Sequence, residues 1–203
     1  MRTERAPRLG PASVALALAC ACGSPPPPPS KPPARAASSV GRYLPLKPDH
    51  VYVYDTELEG TGERGVLMLR VEVGSSGVVE LGVGGRKQRL RFHEDAIENV
   101  TGGYLLKAPL VVGATWRGMS GTVRVVAVGK RVKVPAGDLT DCVETVETES
   151  SSGAVRSVTT VFCAGVGIAS LEVEASAGGE YARERAVLRS FGPKVDLLTA
   201  PPP

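Results

Sequence analysis

Three observations predict an all-β fold, an antiparallel meander of about nine to eleven strands curled into a barrel or half-barrel. Between Val40 and Leu198, apolar and polar residues alternate at a period of two. Gly-rich breaks interrupt the alternation about every eight to twelve residues. No segment carries a long apolar stripe at helical spacing. With few helices to cover its apolar face, such a sheet must close on itself, a β-sandwich being the alternative.

Ahead of the domain, residues 1–21 read as a secretion leader. Arg2, Arg5 and Arg8 form a basic start, and the apolar run from Val14 to Cys22 is too short to span a bilayer. Small residues then precede Cys20 and Cys22. Ala17-Leu18-Ala19-Cys20 resembles the bacterial lipobox, in which the Cys is diacylated and becomes the new N-terminus. The lipobox favours Leu at the third position before the Cys, where Ala17 or Ala19 stands here, so Cys20 and Cys22 are both candidates for lipid attachment. By resemblance to lipoprotein sorting, the lack of Asp after either Cys points to an outer-membrane anchor facing the periplasm.

Residues 22–40 form a Pro-rich linker with five consecutive prolines, which hold an extended polyproline conformation. At about 3.1 Å per residue, residues 24–39 reach roughly 50 Å. A single domain is expected over 41–198, followed by a short Pro tail over 199–203.

Within the domain, Leu67, Leu69, Val71 and Val73 share one strand face, Leu90 and Phe92 another, and Ala169, Leu171 and Val173 a third. The segment from Glu180 to Ser190 reads as a strand between glycines. Turns are expected at Gly74 to Gly77, Gly84-Gly85, Gly129-Lys130, Ser152-Gly153 and Gly178-Gly179. The formal charge is +3, of which the leader supplies a surplus of two. With charges of both signs interleaved and aromatics at 4%, no nucleic-acid partner is expected.

Cys142 and Cys163 remain inside the domain, and an exported address permits a disulfide. If Ser152-Gly153 is a two-residue hairpin loop, Cys142 falls directly opposite Cys163. The same register sets Glu149 against Arg156, Thr145 against Thr160 and Val143 against Phe162.

No segment of the domain matches a catalytic or ligand motif. Gly82-Val83-Gly84-Gly85 lacks the spacing and helix of a phosphate loop, and Gly118-Met119-Ser120-Gly121 is not a nucleophile elbow. His93-Glu94-Asp95 has no second His, and Asp49, His50 and Asp55 read as strand-edge residues. Asn99-Val100-Thr101 matches a glycosylation sequon that carries little weight in a bacterial lipoprotein, and Lys130, Arg131 and Lys133 read as a solvated hairpin edge. No cofactor and no metal are expected.

Four phrases stand in order along the domain: Tyr43-Leu44-Pro45-Leu46; Leu105 to Leu110, leading to Gly113 and Trp116; Val134-Pro135-Ala136-Gly137 before Cys142; and Cys163-Ala164-Gly165-Val166-Gly167. Together they resemble a group of Gram-negative envelope lipoproteins, myxobacteria-like in composition, that carries no assigned activity. Ala164 stands where that group usually has Pro, and Tyr52 or Tyr54 where it has an opening Trp. Pro135 and Gly137 fit a type I turn, Gly165 and Gly167 would let the following strand bend or bulge, and Trp116 is expected to anchor the core.

The expected function is a non-catalytic envelope lipoprotein, tethered to the membrane by its N-terminal lipid, that binds an apolar ligand such as a lipid, a peptide or an envelope protein. A structural lipoprotein docking on an envelope complex is the alternative, and an enzyme ranks last.

Overall fold

The computed structural model describes residues 40–73, 77–83 and 85–194. The leader, Cys20, Cys22, most of the linker and the Pro tail lie outside the described residues. After a single 3-10 turn at Gly41–Tyr43 come β1 (His50–Glu59), β2 (Glu63–Val73), β3 (Val78–Val83), β4 (Arg86–Phe92), β5 (Ala96–Asn99) and β6 (Tyr104–Lys107). They are followed by β7 (Thr115–Arg117), β8 (Thr122–Val134), β9 (Gly137–Ser151), β10 (Ala154–Cys163), β11 (Gly167–Ala177) and β12 (Glu180–Pro193).

The strands form one sheet of twelve in the order β6-β5-β4-β3-β2-β1-β12-β11-β10-β9-β8-β7. Every strand pairs with its sequence neighbours except β6 and β7, and β1 pairs antiparallel with β12, so the meander bends into a nearly closed barrel. Its two edges, β6 and β7, face one another across a seam. The count exceeds the expected nine to eleven because β5, β6 and β7 hold only four, four and three residues, too few to display an alternation.

Strand direction gives the barrel two ends. At the proximal end β1 begins and β12 finishes, and Lys194 N–H donates to Asp49 O at 2.6 Å there. At the distal end lie the β7–β8, β9–β10 and β11–β12 turns. Strands β8 to β12, with β1 and β2, run 10 to 15 residues, whereas β3 to β7 run 3 to 7, so one wall is tall and the other short. The distal parts of β11 and β12 extend beyond the core and are exposed on both faces.

The interior is filled with side chains. Leu90, Ile97, Leu106, Val125, Phe162 and Leu188 are fully buried, and Tyr54 sits among them with its hydroxyl donating to Ile168 O at 2.9 Å. Val40, which the sequence reading placed in the linker, is fully buried too. The 3-10 turn packs it, Tyr43 and Leu44 against the proximal core, and Gly165 N–H donates to Arg42 O at 2.8 Å.

Turn chemistry explains most of the connections. Ser152 and Gly153 both have positive φ, 49° and 85°, as a type I′ hairpin loop requires, and the right-handed strand twist favours that turn. Gly129 does not form the expected turn. It lies inside β8 at φ 66°, where the β8–β9 register slips between Ala127 and Lys130, and so supplies a bulge.

Candidate functional site

Among the described residues no buried side-chain N or O atom lacks a hydrogen-bond partner. Thr145 and Thr160 stand opposite one another and are buried. The Glu147 carboxylate accepts the backbone N–H groups of Ser120 at 2.6 Å and Gly121 at 2.8 Å, folding the β7–β8 turn over the distal end. A Cβ on Gly118 would overlap that carboxylate, and one on Gly121 would overlap the Thr148 carbonyl, so the turn needs glycine at both places. Asn99 accepts from the N–H and the hydroxyl of Thr101 at 2.9 and 2.6 Å, and its amide reaches Met119 Sδ at 3.0 Å. Being buried, this Asn presents no acceptor for a glycan.

The outer face carries cross-strand ion pairs. Lys87 meets Glu72 at 2.9 Å and Glu80 at 3.1 Å; its hydrogen bond holds the Glu72 carboxyl below the ordinary range, and the same two partners push the Lys87 ammonium up. Arg183 meets Glu172 at 2.9 Å and Glu59 at 3.1 Å, which raises its guanidinium further. His93 Nε2 lies 2.9 Å from Glu98, and Arg91 3.6 Å from the same carboxylate. Solvent-exposed pairs of this kind add little stability.

Two recesses open on the outer wall. A groove of about 400 Å³ over β2 to β4 is floored by Val66, Met68 and Gly82 and rimmed by Arg70, Glu72 and Lys87. A smaller recess of about 260 Å³ lies between the end of β8 and the outer face of β9 to β12. Val132, Val134 and Val161 line it with Lys133, Arg185 and Thr159, and Lys130 is paired there with Glu144 at 2.7 Å. In neither recess does a nucleophile stand against a base. Among the described residues no three His, Cys, Asp or Glu gather in a way that could hold a metal ion.

Each site residue named from the sequence within the domain has a definite place, whereas Cys20 and Cys22 lie outside the described residues. Cys142 and Cys163 are bridged, directly opposite in the β9–β10 ladder and fully buried. Val132, Leu139 and Val166 pack against them. Trp116 is buried and its indole N–H donates to Tyr104 O at 3.1 Å, so the core anchor also spans the seam. Pro135 and Ala136 join β8 to β9, with Gly137 at φ 135°, and Ala136 N–H reaches Leu188 O of β12 at 3.1 Å. Gly165, at φ 77°, belongs to the β10–β11 turn and not to a bent strand, while Gly167, at φ 114°, opens β11 against Leu44 and Tyr52.

Three features escaped sequence reasoning. Asp141 has a positive φ of 54° beside the disulfide, and its carboxylate accepts from Arg42 at 2.8 Å and from the Tyr43 hydroxyl at 3.1 Å. Nothing in the local pattern links residues so far apart in the chain. Glu147 stands opposite Val158 in the β9–β10 ladder, which reveals nothing of its role, because its partners lie across the barrel mouth. The third was legible: from Asn99 to Gly137 there is no Asp or Glu, although Lys107, Arg117, Arg124, Lys130, Arg131 and Lys133 all fall there. The interleaving of charges therefore fails across β6, β7 and β8.

No protein-family model matches the chain, and no curated protein does. Among solved structures it is similar to a Bacteroides fragilis protein with a YmcC-like fold, provisionally described as exported, at 10% identity and a TM-score of 0.47, over 73% of this chain and 98% of that one. It is also similar to a provisionally assigned lipoprotein of Parabacteroides distasonis, at 9% identity and a TM-score of 0.45, over 74% of this chain and 98% of that one.

Proposed function

We propose that the chain is a non-catalytic lipoprotein of the cell envelope, anchored by a lipid on Cys20 or Cys22, whose domain engages a peptide or protein partner through its outer surface. The basic start, short apolar run and small residues before each Cys support the anchor. The absence of Asp after either Cys supports the outer membrane.

The packed interior carries the choice of partner. A barrel that sequesters a lipid keeps an enclosed apolar cavity. Here Trp116, Phe162, Leu90, Tyr54 and their neighbours fill that space, and the recesses open outward. Recognition therefore falls to the walls and the tall rim.

Mass spectrometry of protein purified gently from its native membrane tests both parts. A diacylated N-terminal Cys, an intact Cys142–Cys163 bridge and no small molecule in stoichiometric amount are expected. An unmodified chain starting after Ala19 or Ala21 would overturn the anchor. A lipid held one-to-one in addition to the anchor would overturn the surface reading.

A further inference from the structure

Val111 and Val112 are consecutive, 54% and 62% exposed, in the loop between β6 and β7. Gly113 N–H donates to Val125 O at 2.9 Å and Val125 N–H to Ala114 O at 3.0 Å, which ties the loop to β8. Because Val125 points into the core, Val126 and Val128 point outward beside the loop, and both are exposed. Four valines thus share one stretch of surface, and water-facing apolar patches of this kind mark contact sites.

That surface is rich in cations, and the acid of the neighbouring strand, Glu144 opposite Ala127, is paired with Lys130 at 2.7 Å. Lys107, Arg124 and Arg131 flank the valines inside the stretch from Asn99 to Gly137 that holds no acidic residue. Val66 and Met68, exposed on β2, lie instead on the floor of a groove rimmed by Arg70, Arg86 and a paired Glu72 and Lys87, not at a loop tip. An apolar tip ringed by cations complements an anionic surface with an apolar layer beneath it, which describes the headgroup region of a bilayer.

Position narrows the occupant further. β6 finishes and β7 begins at the proximal end, the end at which the described chain starts at Val40 and stops at Lys194. We infer that the Val111–Val112 loop and the adjoining face of β8 rest on the anionic surface of the membrane to which the chain is tethered. This inference rests on the lipid-anchored reading, because the tether brings the patch to the surface it binds. With the loop on the bilayer, the distal rim points away from it and stays free for a partner.

The test uses the mature chain from residue 22 onward carrying Cys22→Ser, so that neither the basic, apolar leader nor an acyl chain contributes, in co-sedimentation with vesicles. Vesicles of phosphatidylcholine with about a third phosphatidylglycerol should bind it at least about tenfold more tightly than pure phosphatidylcholine, and rising salt should weaken the binding. Val111→Asp with Val112→Asp should abolish it, whereas Val66→Asp with Met68→Asp should leave it unchanged. Arg124→Glu with Arg131→Glu checks the charge separately, with retained β-sheet circular dichroism as the control for folding. No binding, equal binding to neutral vesicles, or full binding by the loop variant would overturn the inference. So would capture of soluble polyglutamate in preference to vesicles, which would assign the patch to an acidic protein. The anchor itself is read independently, from the mass of the native N-terminus.

Discussion

The indole N–H of Trp116 donates to the carbonyl oxygen of Tyr104 at 3.1 Å, joining the two strand edges that the sheet leaves unpaired. Strands β6 and β7 share no ladder, so the seam is held by this bond, by the close approach of Gly103 to the Gly118 carbonyl, and by Met119 seated against Gln88 and Asn99. Trp116→Phe keeps most of the buried ring and loses the bond, at an expected cost of about 1 kcal/mol. Trp116→Ala opens a cavity as well and should cost about 3–5 kcal/mol. Urea unfolding measures both, and amide exchange should rise first in β6 and β7, the least supported strands.

Gly103 tests the same seam from the backbone side. It has a φ of 78°, and a Cβ there would run into the Gly118 backbone. Gly103→Ala should therefore destabilise by more than the about 1 kcal/mol of an ordinary turn glycine. Gly153→Ala, also at positive φ but with nothing near its Cβ, is the control that isolates the steric part.

The disulfide bridges residues 21 apart and is fully buried. Closing a loop of that length removes unfolded-state entropy corresponding to about 3 kcal/mol in the chain-entropy account. Cys142→Ala with Cys163→Ala should lower stability by about that amount with little change in circular dichroism. Burial also predicts that dithiothreitol leaves the bridge intact in the folded protein and cleaves it once urea unfolds the domain. Cleavage at an equal rate in both states would contradict the packing of Val132, Leu139 and Val166 over it.

Glu147 is a charged acceptor for two backbone donors, and charge-assisted bonds of this type are stronger than neutral ones. Glu147→Gln keeps an acceptor and should cost about 1 kcal/mol, whereas Glu147→Ala leaves both N–H groups without a protein partner and should cost about 2–3 kcal/mol. The check is a thermal melt of both variants, with exchange of the Ser120 and Gly121 amides as the local readout.

These sites differ in how far the sequence discloses them. The β9–β10 register follows from a single dipeptide, because Ser152-Gly153 tolerates the two positive φ values of a type I′ loop and period-two pairing then carries Cys142 to Cys163. Gly129 misleads for the same reason that Gly153 informs: positive φ serves a bulge as well as a turn, and only the β9 partner distinguishes them. The pairing of β1 with β12 brings Tyr54 opposite Leu188 across most of the chain, and no local pattern encodes it. The seam, Glu147 and the Arg42–Asp141 pair all depend on that closure, so they become visible only in three dimensions. The acid-free stretch was legible but is scattered over three strands and a loop, and only their adjacency makes it a surface.

Alkaline pH should expose the closure energetically. Burial pushes the Tyr54 hydroxyl well above the ordinary phenol value, and burial raises Tyr52 in the same direction. A phenol held above its unfolded value keeps its proton in the fold after the unfolded chain has lost it. The resulting stability is fully present below about pH 10 and is lost as pH rises through the folded value. The urea midpoint should therefore fall steeply above about pH 10, with phenolate absorbance of these two tyrosines appearing only as the domain unfolds. Tyr54→Phe should cost about 1 kcal/mol at neutral pH, from the lost bond to Ile168, and should make the alkaline decline shallower. An unchanged slope in that variant would assign the alkaline transition to other groups.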